Sequence, residues 1–154
     1  MLTADMKRIV QEQRLGFVAT AAVDGTPNVS PKGTFIVLDD ATLAFGEIRS
    51  PGTLRNLREN PRLEVNFVDP FARKGYRFAG TAQVVERGAA AFPSLLERLQ
   101  TSLGPRMRAI VMITVTRALP LTSPAYDDGT TEAVIRRRWT RHFRALQPGQ
   151  RFEE

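Results

Sequence analysis

Cysteine is absent from the chain, and histidine and tryptophan occur once each in 154 residues. Without cysteine there are no disulfides, no thiolate nucleophile and no cysteine-ligated metal. With His142 alone, a conventional zinc site would have to be assembled almost wholly from carboxylates, which is not zinc's usual ligand set. The same histidine neighbours Arg141 in a basic stretch, where a solvent-facing or packing role explains it. No serine–histidine–acid triad is defined by the sequence. Long apolar runs are missing too: Ala109 to Val115 is far shorter than the roughly 20 residues a membrane-spanning helix needs. The opening MLTADMKRIVQEQR lacks the apolar core of a signal peptide. A soluble, cytoplasmic protein is expected, with neither an internal repeat nor a low-complexity segment.

What is present is an ordinary globular composition. Hydrophobic residues make up 42% and charged residues 25%, enough for a single domain with its own core. The 22 Lys and Arg residues outnumber the 16 Asp and Glu residues, giving a formal charge of +6. That balance favours an anionic partner: a phosphate-bearing cofactor, a nucleic acid or an anionic surface. Much of the excess falls late, in Arg136, Arg137, Arg138, Arg141 and Arg144. The aromatic residues do not alternate with these arginines as a base-stacking platform requires, so a solvated helix face is a better reading than nucleic-acid binding.

Along the chain, Thr3 is placed to cap a first helix with Met6, Ile9 and Val10 on one face, ended by Gly16. Phe17 to Val23 reads as a strand, and Asp24-Gly25 as a two-residue hairpin turn. The return strand starts near Pro27 and continues to Leu38, interrupted by Ser30-Pro31-Lys32-Gly33. Proline removes a ladder donor there, and glycine permits a bulge or the close approach of a ligand. Further strands are expected over Thr42–Glu47, Leu63–Val68, Tyr76–Glu86 and Arg108–Leu121. Asp69 to Gly75 is a hairpin loop with an apolar Phe71 at its tip. Gly88 opens a helical stretch that buries Phe92, Leu95, Leu96 and Leu99. A last helix starts at Thr131 or Glu132 and carries Val134, Ile135, Arg138, Trp139 and Phe143 on one side. Asp127, Asp128 and Glu132 read as a polar loop entering that helix rather than as a metal site.

This order describes an α+β chain with roughly six strands, mostly hairpin-joined, and favours a small antiparallel barrel decorated by helices over a doubly wound sheet. The parts are an N-terminal helix over 1–15, a barrel with inserted helices over 16–121, a loop and C-terminal helix over 122–147, and a tail over 148–154.

The stretch Gly46 to Arg62, GEIRSPGTLRNLRENPR, carries the chemistry. After the turn at Ser50-Pro51-Gly52, a short helix is expected from near Thr53 to the residue before Asn60-Pro61, burying Leu54 and Leu57. Free backbone N–H groups at its start, the hydroxyls of Ser50 and Thr53, and Arg49 together suit a phosphate. A hydroxyl acting only as a helix cap is the alternative.

Placed beside NVSPKGTF (Asn28 to Phe35) and the strand pair LEVNFVDPFARKGYRFAGTAQVVE, this stretch gives the chain a family resemblance. From about Met6 to Arg117 it resembles the pyridoxamine 5′-phosphate oxidase-like family, whose members are FMN-binding split β-barrels and typically homodimers. The resemblance implies FMN as cofactor and an oxidoreductase served by an electron donor such as NAD(P)H. Ser30, Pro31, Lys32, Gly33 and Thr34 would run along the flavin ring and ribityl chain, and Phe45, Gly46 and Glu47 would lie beside the ring. Arg49, Ser50, Thr53 and Asn56 would hold the phosphate. Tyr126 and Trp139 would reach the flavin of the partner subunit at a dimer interface. The chain departs from the oxidase itself: it ends RFEE instead of Arg-Leu-Ala-Pro, and has Pro51-Gly52 in place of a basic pair. The substrate is therefore expected to be something other than pyridoxine phosphate. A deazaflavin-dependent reductase and a non-catalytic flavin carrier or sensor are the alternatives within the fold.

Overall fold

A computed structural model describes residues 1–147 and 149; the tail expected over 148–154 lies, apart from Gly149, outside the described residues. The elements in chain order are α1 (Ala4–Gln13), β1 (Gly16–Ala21), β2 (Pro27–Lys32), β3 (Ile36–Val37), β4 (Thr42–Glu47), α2 (Pro51–Glu59), β5 (Arg62–Asp69), β6 (Lys74–Glu86), α3 (Phe92–Leu99), β7 (Ala109–Thr122) and α4 (Glu132–Leu146). The strands form one antiparallel sheet in the order β2-β1-β5-β6-β7-β4-β3.

That order forces the sheet to curl. β2 and β3 sit at opposite ends of it, yet Lys32 and Ile36 are only four residues apart. Four extended residues span about 14 Å, whereas a flat sheet of this size would hold its edges about 29 Å apart. The chain can cover the gap only if the sheet rolls into a half-barrel. Seven strands result instead of roughly six, because the single return strand expected from Pro27 to Leu38 splits. Its first part pairs with β1 (Ser30 opposite Val18) and its second with β4 (Ile36 opposite Ala44).

Alternation along the strands decides what the roll encloses. Leu63, Val65 and Phe67 of β5 point inward with Val18, Leu43, Phe45, Phe78, Val111 and Ile113. Phe35, just before β3, meets Phe67 edge-on with ring centroids 4.8 Å apart and lies 5.1 Å from Phe45. α1 closes this core with Ile9 and Val10, and α2 with Leu54 and Leu57. β4 is buried on both faces, since Ala44 packs outward with Val85, Met107 and Ile110 beneath Phe92, Leu95 and Leu99 of α3. No helix among the described residues is long and apolar enough to cross a membrane.

Several local expectations shift. Thr3 does cap α1, its side chain accepting from the Met6 N–H. The helix stops at Arg14 in a left-handed conformation (φ 57°), not at Gly16. Gly16 instead starts β1, where a Cβ would come within 2.5 Å of the Phe35 ring. The first hairpin turn is longer than two residues: the Gly25 N–H donates to the Ala22 carbonyl at 2.9 Å, with Gly25 itself at φ 85°. α2 begins at Pro51, whose fixed φ suits a first helical position. Gly88 belongs to a turn ahead of α3. Of the side expected for α4, Ile135 is buried and Trp139 and Phe143 are half-buried, while Val134 and Arg138 face solvent.

Candidate functional site

The split of the return strand creates the site. At Lys32 the chain leaves its partner β1, passes Gly33 and Thr34, and joins the far edge of the sheet at Ile36. A Cβ at Gly33 would meet nothing within 4 Å, so the corner is open to a ligand. Thr34 fastens the crossing: its hydroxyl donates to the Gly46 carbonyl at 2.8 Å and accepts from the Gly46 N–H at 3.0 Å. A Cβ at Gly46 would lie 2.4 Å from the Met107 thioether, so a side chain there would require Met107 to move.

Four of the anticipated residues converge on one hydrogen-bonded cluster. The Lys32 ammonium, at the end of β2, donates to the Glu47 carboxylate at the end of β4 and to Ser50 Oγ at 2.6 Å. Ser50 Oγ in turn lies 2.9 Å from Ser30 Oγ, and the Ser50 N–H donates to the other oxygen of Glu47. The ion pair is deeply buried, with 6% of the Lys32 and 1% of the Glu47 side chain exposed. Ser50 stands at the cap position of α2 but makes no capping bond with its side chain. Its hydroxyl is turned to β2, so capping is not its role.

α2 packs against β1 and β2 beside this cluster. Thr53 and Asn56 are buried on its inner face. Asn28 of β2 donates from Nδ2 to the hydroxyls of Thr20 and Thr53, both at 3.2 Å, and Asn56 Nδ2 donates to Thr20 Oγ1 at 3.1 Å. Thr20 and Asn28 are members of this network that sequence reasoning did not single out. Their even spacing with Ser30 and Lys32 on the inner faces of β1 and β2 was the available signal. A Cβ at Gly52 would have Arg55 Nη2 and Asn28 Oδ1 only at 3.9 and 4.0 Å, leaving room between the helix start and β2. The N–H groups of Gly52 and Thr53 lie at that start, where intrahelical acceptors are lacking. Arg49 is exposed beside them and forms no ion pair among the described residues.

The remaining anticipated residues lie elsewhere. Pro31 faces outward, opposite Phe17. Phe45 is fully buried in the core, its ring centroid 5.7 Å from Lys32 Nζ. Tyr126 and Trp139 pack against the β5–β6 hairpin of their own chain: the Tyr126 hydroxyl donates to the Ala72 carbonyl at 2.6 Å, and the Arg73 guanidinium stacks 4.0 Å from the Trp139 ring. His142 is exposed and packs edge-on to Trp139. Asp128 accepts from Thr130, and Glu132 pairs with Lys74 and Arg136. These pairings hold the Glu132 carboxyl below its ordinary range, Lys74 contributing first.

The geometry fits a phosphate-bearing flavin in most respects. It offers an open corner at Gly33, hydroxyls at Ser30 and Ser50, a helix start with free N–H groups and an exposed Arg49. One group runs against it: Glu47 is an anion within the donor cluster.

A family model described as pyridoxamine 5′-phosphate oxidase matches residues 2–121. An uncharacterized protein of Methanocaldococcus jannaschii is 28% identical over 126 residues, 79% of this chain and 82% of that protein. Among solved structures, HupZ of Group A Streptococcus is 34% identical with a TM-score of 0.71, over 80% of this chain and 96% of that one. An FMN-binding protein from Syntrophomonas wolfei has the same fold at 13% identity, with a TM-score of 0.68 over 79% and 87% of the two chains.

Proposed function

Because this chain belongs to the pyridoxamine 5′-phosphate oxidase family, we propose that it is an FMN-binding flavoprotein, working as an oxidoreductase on a substrate other than pyridoxine phosphate. The observation that carries this reading is the joining of Ser30 and Lys32 on β2 to Ser50 at the start of α2. Two segments 20 residues apart in sequence are thereby bound into one polar groove.

In that groove the open corner at Gly33 takes the ring side of the flavin, and the start of α2 takes the phosphate. Arg49 supplies a guanidinium, Ser50 a hydroxyl, and Gly52 and Thr53 backbone N–H groups backed by the positive end of the helix. FMN, when bound, supplies hydride transfer. The chain's part is to hold and orient it: Thr34 fixes the crossing strand to Gly46, and the Asn28–Thr20–Asn56 network fixes α2 against β1 and β2. Leu15, Phe17, Val29 and Pro31 are exposed on the outer faces of β1 and β2 and their approach. An apolar face of that kind beside the groove supports a homodimer that completes the site.

The test is the absorbance spectrum and mass of whatever co-purifies, before and after NADPH. A flavin spectrum with the mass of FMN is the expected result, and reduction by NADPH supports catalysis over simple carriage. Arg49→Ala with Ser50→Ala should release FMN while circular dichroism stays unchanged. Undiminished FMN affinity in that variant would overturn the phosphate placement, and a deazaflavin mass would overturn the cofactor.

A further inference from the structure

We propose that Glu47 is a specificity-determining residue that sets how strongly this groove takes a phosphate, by occupying the donors a phosphate would use. The flavin arm of this inference rests on the function proposed above; its phosphate arm does not.

The donors at the heart of the cluster are an ammonium, a hydroxyl and a backbone N–H ahead of a helix, a set that suits a phosphate oxygen. Glu47 already accepts from the Lys32 ammonium with one oxygen and from the Ser50 N–H with the other. Lys32 also donates to Ser50 Oγ at 2.6 Å, which fixes that hydroxyl in the same arrangement. With so little of either side chain exposed, water screens the pair poorly. A phosphate brought onto Lys32 would place a second anion against Glu47, and one desolvated ammonium cannot balance both. Apart from Arg49, which is exposed on the rim, the turn supplies no replacement cation, since Pro51 and Gly52 follow Ser50 directly. A phosphate must therefore rest on the rim, with Arg49 and the start of α2, or else displace the carboxylate. In either case Glu47 lowers the preference for a phosphorylated ligand over its dephosphorylated form.

Glu47→Gln keeps the shape and removes the competing charge, leaving Lys32 without an anion. Thermal unfolding with and without inorganic phosphate is the first measurement. The variant should be less stable than the parent in phosphate-free buffer and gain more from phosphate than the parent does. Titration with FMN and riboflavin, followed by flavin fluorescence, is the second. The FMN-to-riboflavin affinity ratio should rise on the order of tenfold, as expected for a newly available charge-assisted contact. A phosphate response no larger than the parent's, or a ratio that stays level or falls, overturns the proposal and leaves Glu47 as a strut for Lys32. Lys32→Met with Glu47→Gln should abolish the added phosphate response; its survival there would also overturn the proposal. If Glu47→Gln folds only in phosphate, the proposal is supported. If it folds in neither buffer, Glu47→Asp decides, because the shorter carboxylate cannot hold Lys32 and Ser50 together and should gain more from phosphate than the parent. A parent that binds neither FMN nor riboflavin removes the flavin reading and leaves the phosphate comparison to judge Glu47.

Discussion

Asp69 ties the β5–β6 hairpin to α4, and neutralising it gives a pH signature that can be worked out from its contacts. The residue is 5% exposed. Its Oδ1 accepts from the N–H groups of Phe71 and Ala72 at 2.8 and 3.0 Å, and its Oδ2 from Arg136 at 2.8 Å. Burial pushes the carboxyl upward, but the Ala72 and Phe71 N–H groups and Arg136 outweigh it and hold the group below its ordinary range. Asp69→Asn retains one acceptor oxygen for the two N–H groups and removes the charge and the acceptor facing Arg136. A hydrogen bond to a charged group contributes about 1.5–3 kcal/mol. Because 43% of the Arg136 side chain is exposed and it keeps Glu132 at 2.9 Å, the low end applies, about 1.5 kcal/mol at neutral pH.

The sign of the pH dependence follows from the depressed native value. A carboxyl that ionises more readily when folded stabilises the native state fully above its unfolded pKa, about 3.9. That contribution is lost as pH falls from there through the folded value. The gap between parent and Asp69→Asn should thus be constant from about pH 5 to 8 and close only as pH falls past the unfolded value and through the lower folded one, where the parent's carboxyl is itself neutral. Other carboxyls titrate in both proteins and largely cancel in the difference. Urea unfolding followed by fluorescence suits the measurement, since the single tryptophan, Trp139, stacks on Arg73 of the same hairpin. A gap that persists unchanged at acid pH would show that the lost stability is steric, and would refute the electrostatic account.

Phe67→Ala should cost about 3–5 kcal/mol by urea unfolding, because a fully buried ring in contact with Phe35 and Phe78 leaves a cavity at the centre of the barrel. A loss under about 1 kcal/mol would mean that the core collapses around the gap. Phe17→Asp places a charge on the outer face of β1, where the side chain is 45% exposed. On the proposed homodimer it should give a monomer in light scattering without altering the circular dichroism, and an unchanged mass would remove that face as the interface.

The parts of the fold legible in the sequence are those set by neighbours in the chain. The Leu63–Val68 alternation gives β5 its inner face, Thr3 caps α1, and Leu54 and Leu57 mark the buried side of α2. What was not legible depends on distant strands. The interruption at Ser30-Pro31-Lys32-Gly33 is visible in the run from Pro27 to Leu38, and the chain does bend at Gly33, but nothing local shows that the strand beyond it takes a different partner. The left-handed Arg14 is hidden for a similar reason: Gly16, two residues later, looked like the better helix terminator, but its missing side chain makes room for Phe35 and Phe67. Both features are set by contacts across the barrel, one by strand pairing and the other by close packing.

The same change of partner explains why the polar groove lies where it does. Inside a ladder, backbone N–H and C=O groups are consumed by the neighbouring strand, and inward side chains must be apolar to fill the core. At the junction of β2 and β4 neither condition holds. Among the described residues no ladder joins these strands; Lys32, Thr34, Gly46 and Glu47 join them by side-chain hydrogen bonds. A buried ion pair is a weak source of net stability, because removing two charges from water offsets most of their attraction. It is, however, selective: a one-residue slip at the crossing would part Lys32 from Glu47 and strand both charges in the interior. The pair therefore fixes where the strand changes partners, and so fixes the positions of Gly33, Ser30 and the start of α2 relative to one another. On this argument, replacing Lys32 and Glu47 together by methionines should preserve or raise stability. Groove geometry should loosen in that variant, seen as faster amide exchange across residues 30–34 than in the parent. Unchanged exchange there would mean that Thr34 and Gly46 hold the crossing on their own.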